Sequence, residues 1–571
     1  MTAQTACGKI GWRVTGVIFL RLLAQSMSAA DAPTFTRDVA PIVFGECAEC
    51  HHTGGIAPFS LSSFADVKKR AKTIVRVTGN RLMPPWPPEA GHGDFTGARR
   101  LSDAQIATLA RWVQSGMTQG AARDLPPLPV WRDGWQLGEP DLVVTPPRAF
   151  TLAADGPDIY RNLVMPHEAQ ADRFVRAVEF RAGTMTGVHH AFMLIDESGD
   201  ARRLESLETE PGFPGMLAGR GAHSPGGFVS WQPGRRPVEG PDGMSWPLRK
   251  GSDLVLQLHL RSTGKPEQVQ PRVGIYFTDR APTRPYFVML LRSTTIDIPP
   301  DANDYAIEAS YTLTSEVSVV GISPHQHYLG KEVHGWAELP DGSREELLFI
   351  KQWDFNWQGD YRYAKPVALP KGTTLKMRFT YDNSAQNPAN PSHPPRRVQY
   401  GLQSSDEMGE LWFWLETKTP ADLQTLQRDY FGTWGLRDKV AVNEALLRRD
   451  PHDAGSRTEL GAAFVAMGRI DDALVQLRQA IGDNPKMQRA FYALGTVLAK
   501  RGELAEAEAA FTRAVEIDPN DSKAQNNLGA VLLGEGKTAQ AIERFETTLR
   551  LNPGDTMARQ SLEKARAELG R

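Results

Sequence analysis

Cys47-Ala48-Glu49-Cys50-His51 sets two thiols and an imidazole at the spacing that can carry a haem covalently. Each cysteine can add to a porphyrin vinyl group, and the histidine that follows can turn under the iron as an axial ligand. These are two of only three cysteines in 571 residues, so a chance pair of core cysteines beside a surface histidine is the weaker reading. A zinc site would call for more thiols or a second histidine pair, and a thiol–disulfide exchange motif has no use for His51. The expected cofactor is a covalent haem c on Cys47 and Cys50, with His51 on the iron.

A second group of metal-binding side chains lies in the middle of the chain. His189-His190 opens the strand-like run Val188 to Ile195. In Leu254-Val255-Leu256-Gln257-Leu258-His259-Leu260 the four leucines share one face and His259 points to the other. His325-Gln326-His327 puts two imidazoles on the same side of an extended segment, and Met408 ends Ser404-Ser405-Asp406-Glu407-Met408. With thirteen histidines in the chain, any one of these is more simply a hydrogen-bonded side chain. Together they make two donor sets: three imidazoles, which hold either copper state, and two imidazoles with a thioether, which favours Cu(I).

The elements around the haem motif occupy residues 33–120. Ser102 and Gln105 make a capping box, Ile106, Leu109, Ala110 and Val113 recur on one helical face, and Gly116 closes that helix. Between it and the haem motif, the prolines of Arg81-Leu82-Met83-Pro84-Pro85-Trp86 forbid helix and hold an extended loop. The order of helix, C-x-x-C-H, loop and terminal helix resembles a small class I cytochrome c. That resemblance makes Met83 the sixth haem ligand. Met83 as an ordinary core side chain is the alternative, and His92 is the rival ligand.

A proline-rich linker (121–140) leads into a long zone of short alternating strands broken by Pro, Gly and Asp turns. It is too long for one sandwich of antiparallel sheets, so two are expected in tandem, 141–283 and 284–420, joined near Arg280 to Pro285. The ordered motifs Met185-Thr186-Gly187-Val188-His189-His190, Leu256-Gln257-Leu258-His259, His325-Gln326-His327-Tyr328-Leu329-Gly330-Lys331 and Ser404-Ser405-Asp406-Glu407-Met408 resemble the copper type II, ascorbate-dependent monooxygenases. That family includes the peptidylglycine α-hydroxylating and dopamine β-monooxygenases. The resemblance implies two jelly-roll-like sandwiches facing across a solvent cleft, with one copper ion on each. His189, His190 and His259 would bind the electron-storing copper. His325, His327 and Met408 would bind the copper where dioxygen is activated and form the catalytic centre. Two departures bear on the substrate. Ser323 stands where the peptide-amidating enzymes carry an arginine for the substrate carboxylate, and Gly409 stands where they carry a cysteine. Glycine-extended peptides are therefore doubtful substrates.

After a connector (421–449), residues 450–571 repeat every 34 positions. Leu460-Gly461, Leu494-Gly495 and Leu528-Gly529 are in register, as are Gly468, Gly502 and Gly536; Ala473, Ala507 and Ala541; and Pro485, Pro519 and Pro553. This resembles the tetratricopeptide repeat, an α-solenoid whose small residues sit where paired helices cross, with Thr556 to Leu569 as a capping helix. It implies a protein partner.

The length suggests about four domains. A net charge of −2 favours neither nucleic acid nor an anionic membrane surface. Lys9 and Arg13, the apolar run from Val17 to Ala24, and Ser28-Ala29-Ala30 read as a secretory signal peptide over 1–30. Arg21 interrupts the apolar run, and the alternative is a mis-assigned start or a disordered tail. Export to the periplasm is expected, with no transmembrane segment after signal removal. The whole reads as a secreted haem c- and dicopper-containing monooxygenase, acting on a small-molecule or peptide substrate and supplied by an electron-donor protein or reductant. The rival functions are a redox or copper-handling protein without hydroxylase activity, and an assembly platform dominated by its repeats.

Overall fold

A computed structural model describes residues 32–570, apart from 56, 132–133, 167–170, 183–185, 216–221, 224–229, 232–236, 238, 241–242 and 285. The signal-peptide reading, Cys7 and Met185 lie outside the described residues. By its contacts the chain forms two compact units, one made of the residues up to Pro84 with Arg99–Val130, the other of Pro85–Ala98 with everything from Trp131 onward. The stretch 85–98 thus leaves the 33–120 zone and groups with the β-rich unit. No helix among the described residues is long and apolar enough to cross a membrane.

The first unit is helical. A π turn, Phe35–Val39, runs into the helix Ala40–Glu46, and the helices Phe64–Gly79 and Asp103–Gln114 follow. Ser102 and Gln105 form the expected capping box, and Gly116 follows the helix end at φ +94°, a conformation that glycine adopts without strain. The side chains this helix buries are Leu109 and Trp112, while Ile106, Ala110 and Val113 are only half-buried. The indole takes the core position because it brings the most apolar surface, packing near Phe35 and Phe64 while its N–H donates to Thr118 O at 2.9 Å. The helix Phe64–Gly79 fills the stretch between the haem motif and Met83. Ser63 caps it, and Val67, Ala71, Ile74 and Thr78 are its buried side.

The second unit opens with two pairs of antiparallel sheets, each around its own core. In the first pair, Leu142–Val144, Arg272–Thr278, Arg173–Arg181 and Trp246–Leu248 form one sheet. Its partner has Ile159–Met165, Asp253–Leu260 and Val188–Asp196 side by side. Leu254, Leu256, Leu258 and Leu260 enter the shared core, so Val255, Gln257 and His259 take the opposite face. The second pair sets Tyr286–Arg292, Gly409–Thr417, Val317–Gln326 and Tyr361–Leu369 against Tyr305–Thr312, Thr374–Tyr381, Gly330–Glu338 and Arg344–Ile350.

Helices Pro420–Asp429 and Gly435–Arg449 seat on the second pair: the Tyr430 hydroxyl donates to Leu290 O at 2.8 Å, and Arg292 forks onto Asp438 at 2.7–3.0 Å. Seven helices from Ala454 to Leu569 then stack as antiparallel neighbours. The repeat positions behave as small residues at crossings should. Ala473, Ala507 and Ala541 are fully buried, and a side chain added at Gly495 or Gly529 would press on the ring of Phe511 or Phe545.

Candidate metal centres

The haem motif continues the helix Ala40–Glu46 as a turn. Cys47 N donates to Val43 O at 2.9 Å, and His51 N to Cys47 O at 3.1 Å, which brings the two cysteines and the histidine round one bend. Neither cysteine is in a disulfide, and burial pushes the Cys47 thiol up to about 12, the opposite of the depressed value a thiol-exchange nucleophile needs. His51 Nδ1 is 3.1 Å from Phe59 O, so Nδ1–H donates there and Nε2 is left with a bare lone pair, as an axial ligand requires. These residues fit a haem c. Met83 sits just past the helix Phe64–Gly79 at 43% exposure, its N–H on Val77 O. His92, its rival, packs in the second unit against Phe349, 5.2 Å between centroids.

His189 and His190 are adjacent, and on a regular strand adjacent side chains point to opposite faces. Here they converge. The pairing with Asp253–Leu260 slips between His259↔His190 and Leu260↔Val188, so His189 is the extra residue of a bulge and turns to the side of its neighbour. The ring centroids of His190 and His189 lie 4.7 and 5.0 Å from that of His259, and one nitrogen from each of the three lies within 4.8 Å of the others. His259 Nε2 is 3.0 Å from Asp158 Oδ2, which fixes the tautomer, and its buried Nδ1 has no hydrogen-bond partner among the described residues. The Nδ1 atoms of His189 and His190 lie 3.2 Å apart, close enough to share a proton or to face one cation.

The second set is built the same way. His325 Nδ1 is 2.5 Å from Gln358 Oε1, and His327 Nδ1 is 3.0 Å from Asp406 O, which leaves each Nε2 lone pair available to a metal. His327 Nε2 is buried without a hydrogen-bond partner among the described residues. The register His325↔Glu410, Gln326↔Gly409, carried one step further, sets Met408 opposite His327. Met408 is 5% exposed. The Glu407 carboxylate accepts backbone N–H groups of His327 (2.9 Å), Leu329 (2.6 Å) and Met408 (3.3 Å), binding the two ligand segments together. Burial pushes this carboxyl up to about 8, against the pull of those three donors.

The two sets are not held apart by an open cleft as expected. The rings of His190 and His325 have centroids 6.5 Å apart, and Phe355 lies between the sets, stacked on His189 at 4.6 Å and edge-on to His327 at 5.7 Å. Asp158 ties the halves together, since its Oδ2 takes His259 Nε2–H and also the N–H (3.1 Å) and hydroxyl of Ser404, four residues before Met408. Burial works against the Asp158 charge, but the bonds from His259 and Ser404 outweigh it and hold the carboxyl well below the usual carboxylate range. Burial, then the neighbouring His259 and Arg261, push His189 down to about 3; burial likewise depresses His190, His325 and His327. Burial thus favours the uncharged form of these imidazoles, the form that binds a metal ion. Borderline and soft donors without a thiolate fit copper.

Asp158, Gln358 and Phe355 gave no signal in the sequence, because each comes from a segment far from the histidines it touches. Glu407 was visible beside Met408, an acid at the foot of a strand. Ser323, at the position of the arginine, donates its hydroxyl to Asp360. A Cβ at Gly409 would collide with Ile307 and the Tyr381 hydroxyl, which leaves no room for a cysteine at that position.

Compared with known proteins, residues 458–522 and 510–543 match models of the tetratricopeptide repeat, and the C-terminal region consists of such repeats. Among solved structures, the chain is similar to MamA (26% identity, 25% of this chain and 84% of that one, TM-score 0.24). It is also similar to YrrB, a tetratricopeptide repeat protein with an unusual peptide-binding site (24% identity, 26% of this chain and 75% of that one, TM-score 0.23). No curated protein matches the chain.

Proposed function

We propose that the chain is a haem c- and dicopper-dependent monooxygenase of the copper type II class, built from a cytochrome c domain, two jelly-roll-like sandwiches and a repeat scaffold, that hydroxylates a C–H bond. The supporting observation is the cluster of His189, His190 and His259, with His325 6.5 Å from His190 between ring centroids and strand register setting Met408 opposite His327, each described imidazole tautomer leaving a bare nitrogen for a metal. The reaction balances as R–H + O2 + 2 electrons + 2 protons giving R–OH + H2O. Copper, when bound, supplies one-electron redox steps and dioxygen activation, and the haem supplies single electrons. The chain's own residues do the positioning. Asp158 and Gln358 fix imidazole tautomers, Glu407 holds the two ligand segments in register, and Phe355 and Tyr160, the latter stacked on His259 at 4.5 Å, exclude water from the rings. With Ser323 engaged by Asp360, the substrate is not selected through a carboxylate at that position. The tetratricopeptide repeats supply a surface for a protein partner, and the protein acts in the periplasm.

A second reading, a copper-holding redox protein with no organic substrate, is favoured by the 6.5 Å approach of His190 and His325, too close to pass a substrate between those two rings. The two part on oxygen. Copper- and haem-loaded protein is given a reductant, 18O2 and a panel of benzylic amines, aliphatic compounds and peptides. The monooxygenase reading expects one class to raise oxygen uptake and to carry 18O in its new hydroxyl. Uptake that no compound changes, with no labelled product, supports the second reading.

A further inference from the structure

A further cluster of imidazole and carboxylate side chains, His92, His334 and Glu346, lies away from the copper candidates. The segment 85–98 is pinned to the second sheet pair in two places. Pro88 bridges to Ile350 and Glu89 N donates to Phe349 O at 2.8 Å; Phe95 bridges to Tyr363 and Thr96 N donates to Arg362 O at 2.8 Å. The strands touched, Arg344–Ile350 and Tyr361–Leu369, end their respective sheets, so the segment covers two open edges. Between the pins the chain turns at Gly91 (φ +84°) and Gly93 (φ +99°), where a Cβ on Gly93 would run into Leu347 O and Phe95. His92 is held between these glycines.

We propose that His92, His334 and Glu346 form a further metal site, for a divalent ion of zinc type, that staples the 85–98 segment to the second sheet pair. One donor atom from each lies within 4.8 Å of the others. His334 Nε2 is 2.7 Å from Glu346 Oε2, and His92 Nε2 is 4.0 Å from the same oxygen. His92 Nδ1 faces Ala90 O at 3.3 Å, so its proton goes there and the Nε2 lone pair turns inward. Phe349 packs on both imidazoles (5.2 and 5.1 Å) and Trp336 on His334 (4.9 Å), which fixes their planes. Two imidazoles and a carboxylate with a fourth position open to water make a zinc donor set; with neither thiolate nor thioether, the site does not select Cu(I).

One side chain competes for the site. Arg344 places Nη2 2.8 Å from His334 Nε2 and Nε 2.6 Å from Glu346 Oε1. An ion displaces the guanidinium from His334 but leaves it Oε1 and the face of Trp336, 4.5 Å away. The staple lies wholly within the second unit, on the segment that begins at Pro85.

The test uses the full haem-loaded chain, with copper, titrated with Zn2+ and read as zinc per chain after gel filtration. The wild type and His452→Ala, whose imidazole is 83% exposed, should hold the same zinc, while His92→Ala and Glu346→Gln each hold one ion fewer. Affinity at the site should fall by more than about 100-fold, beyond what the loss of a ligand's hydrogen-bond partner costs. Arg344→Ala should bind the ion more tightly than wild type, a gain no misfolded variant would give. Zinc should also slow cleavage after Glu89 by glutamyl endopeptidase in the wild type and not in His92→Ala. Equal zinc in wild type and His92→Ala, or weaker binding in Arg344→Ala, overturns the proposal.

Discussion

Around the candidate copper cluster, His259, His325 and His327 each spend one ring nitrogen on Asp158, Gln358 or Asp406 and keep the other bare. Asp158 matters most, because one carboxylate oxygen serves His259 and Ser404 together. Asp158→Asn keeps the shape but loses the charge that strengthens both bonds. Copper affinity at the three-histidine set should drop about 10–100-fold, measured by competition with a chelator; unchanged affinity would remove Asp158 from the site. Met408→Ile takes away the thioether of the second donor set while keeping an apolar side chain in the core position. Under reducing conditions copper per chain should fall from two to one, with the histidine-only set still loaded. Two coppers retained would mean that Met408 is no ligand. His189-His190 and His325-Gln326-His327 were legible in the sequence because their spacing is itself the signal. The bulge that turns His189 beside His190 was not, since it is a property of pairing with His259 and not of either residue.

At the scale of elements, the strands carrying the ligands are closely fitted to their neighbours. Gly409 begins the strand after Met408 and lies against Ile307 and the Tyr381 hydroxyl, which donates to Met408 O at 2.8 Å. Gly409→Ala should therefore destabilise the chain by about 1–3 kcal/mol in chemical denaturation, the cost of overpacking a filled core. An unchanged midpoint would show that the strand has slack there. The Leu254–Leu260 alternation predicted its strand and its two faces, and the 34-residue period predicted the helix pairs, because in both cases one pattern recurs many times. The helix Phe64–Gly79 was harder to see. Its buried positions follow a helical period, but five Lys and Arg residues between them dilute the apolar signal. The proline run after Met83 read correctly as non-helical, yet nothing local said that 85–98 would pair with Phe349, Ile350 and Tyr363, more than 250 residues away in sequence.

For the whole molecule, the chain sets a C-x-x-C-H motif, a cluster of five histidines with Met408 beside it, and a repeat scaffold in series. The repeats also lean on the helix Asp200–Ser206, which follows the strand Val188–Asp196: Lys523 reaches Asp200 at 2.9 Å, and Arg203 pairs with the fully buried Asp518. The repeats thus bear on the β-rich region as well as on any partner. In the proposed function each turnover needs two electrons delivered singly, and a haem on the same chain is present at high effective concentration for that delivery. The most direct measurement reduces the haem anaerobically, mixes the protein with dioxygen in a stopped-flow instrument, and follows haem reoxidation with copper, without copper, and in His259→Ala. The account predicts reoxidation at least about tenfold faster with copper than in either of the others, a barrier difference of roughly 1.4 kcal/mol. Equal rates in all three would contradict it.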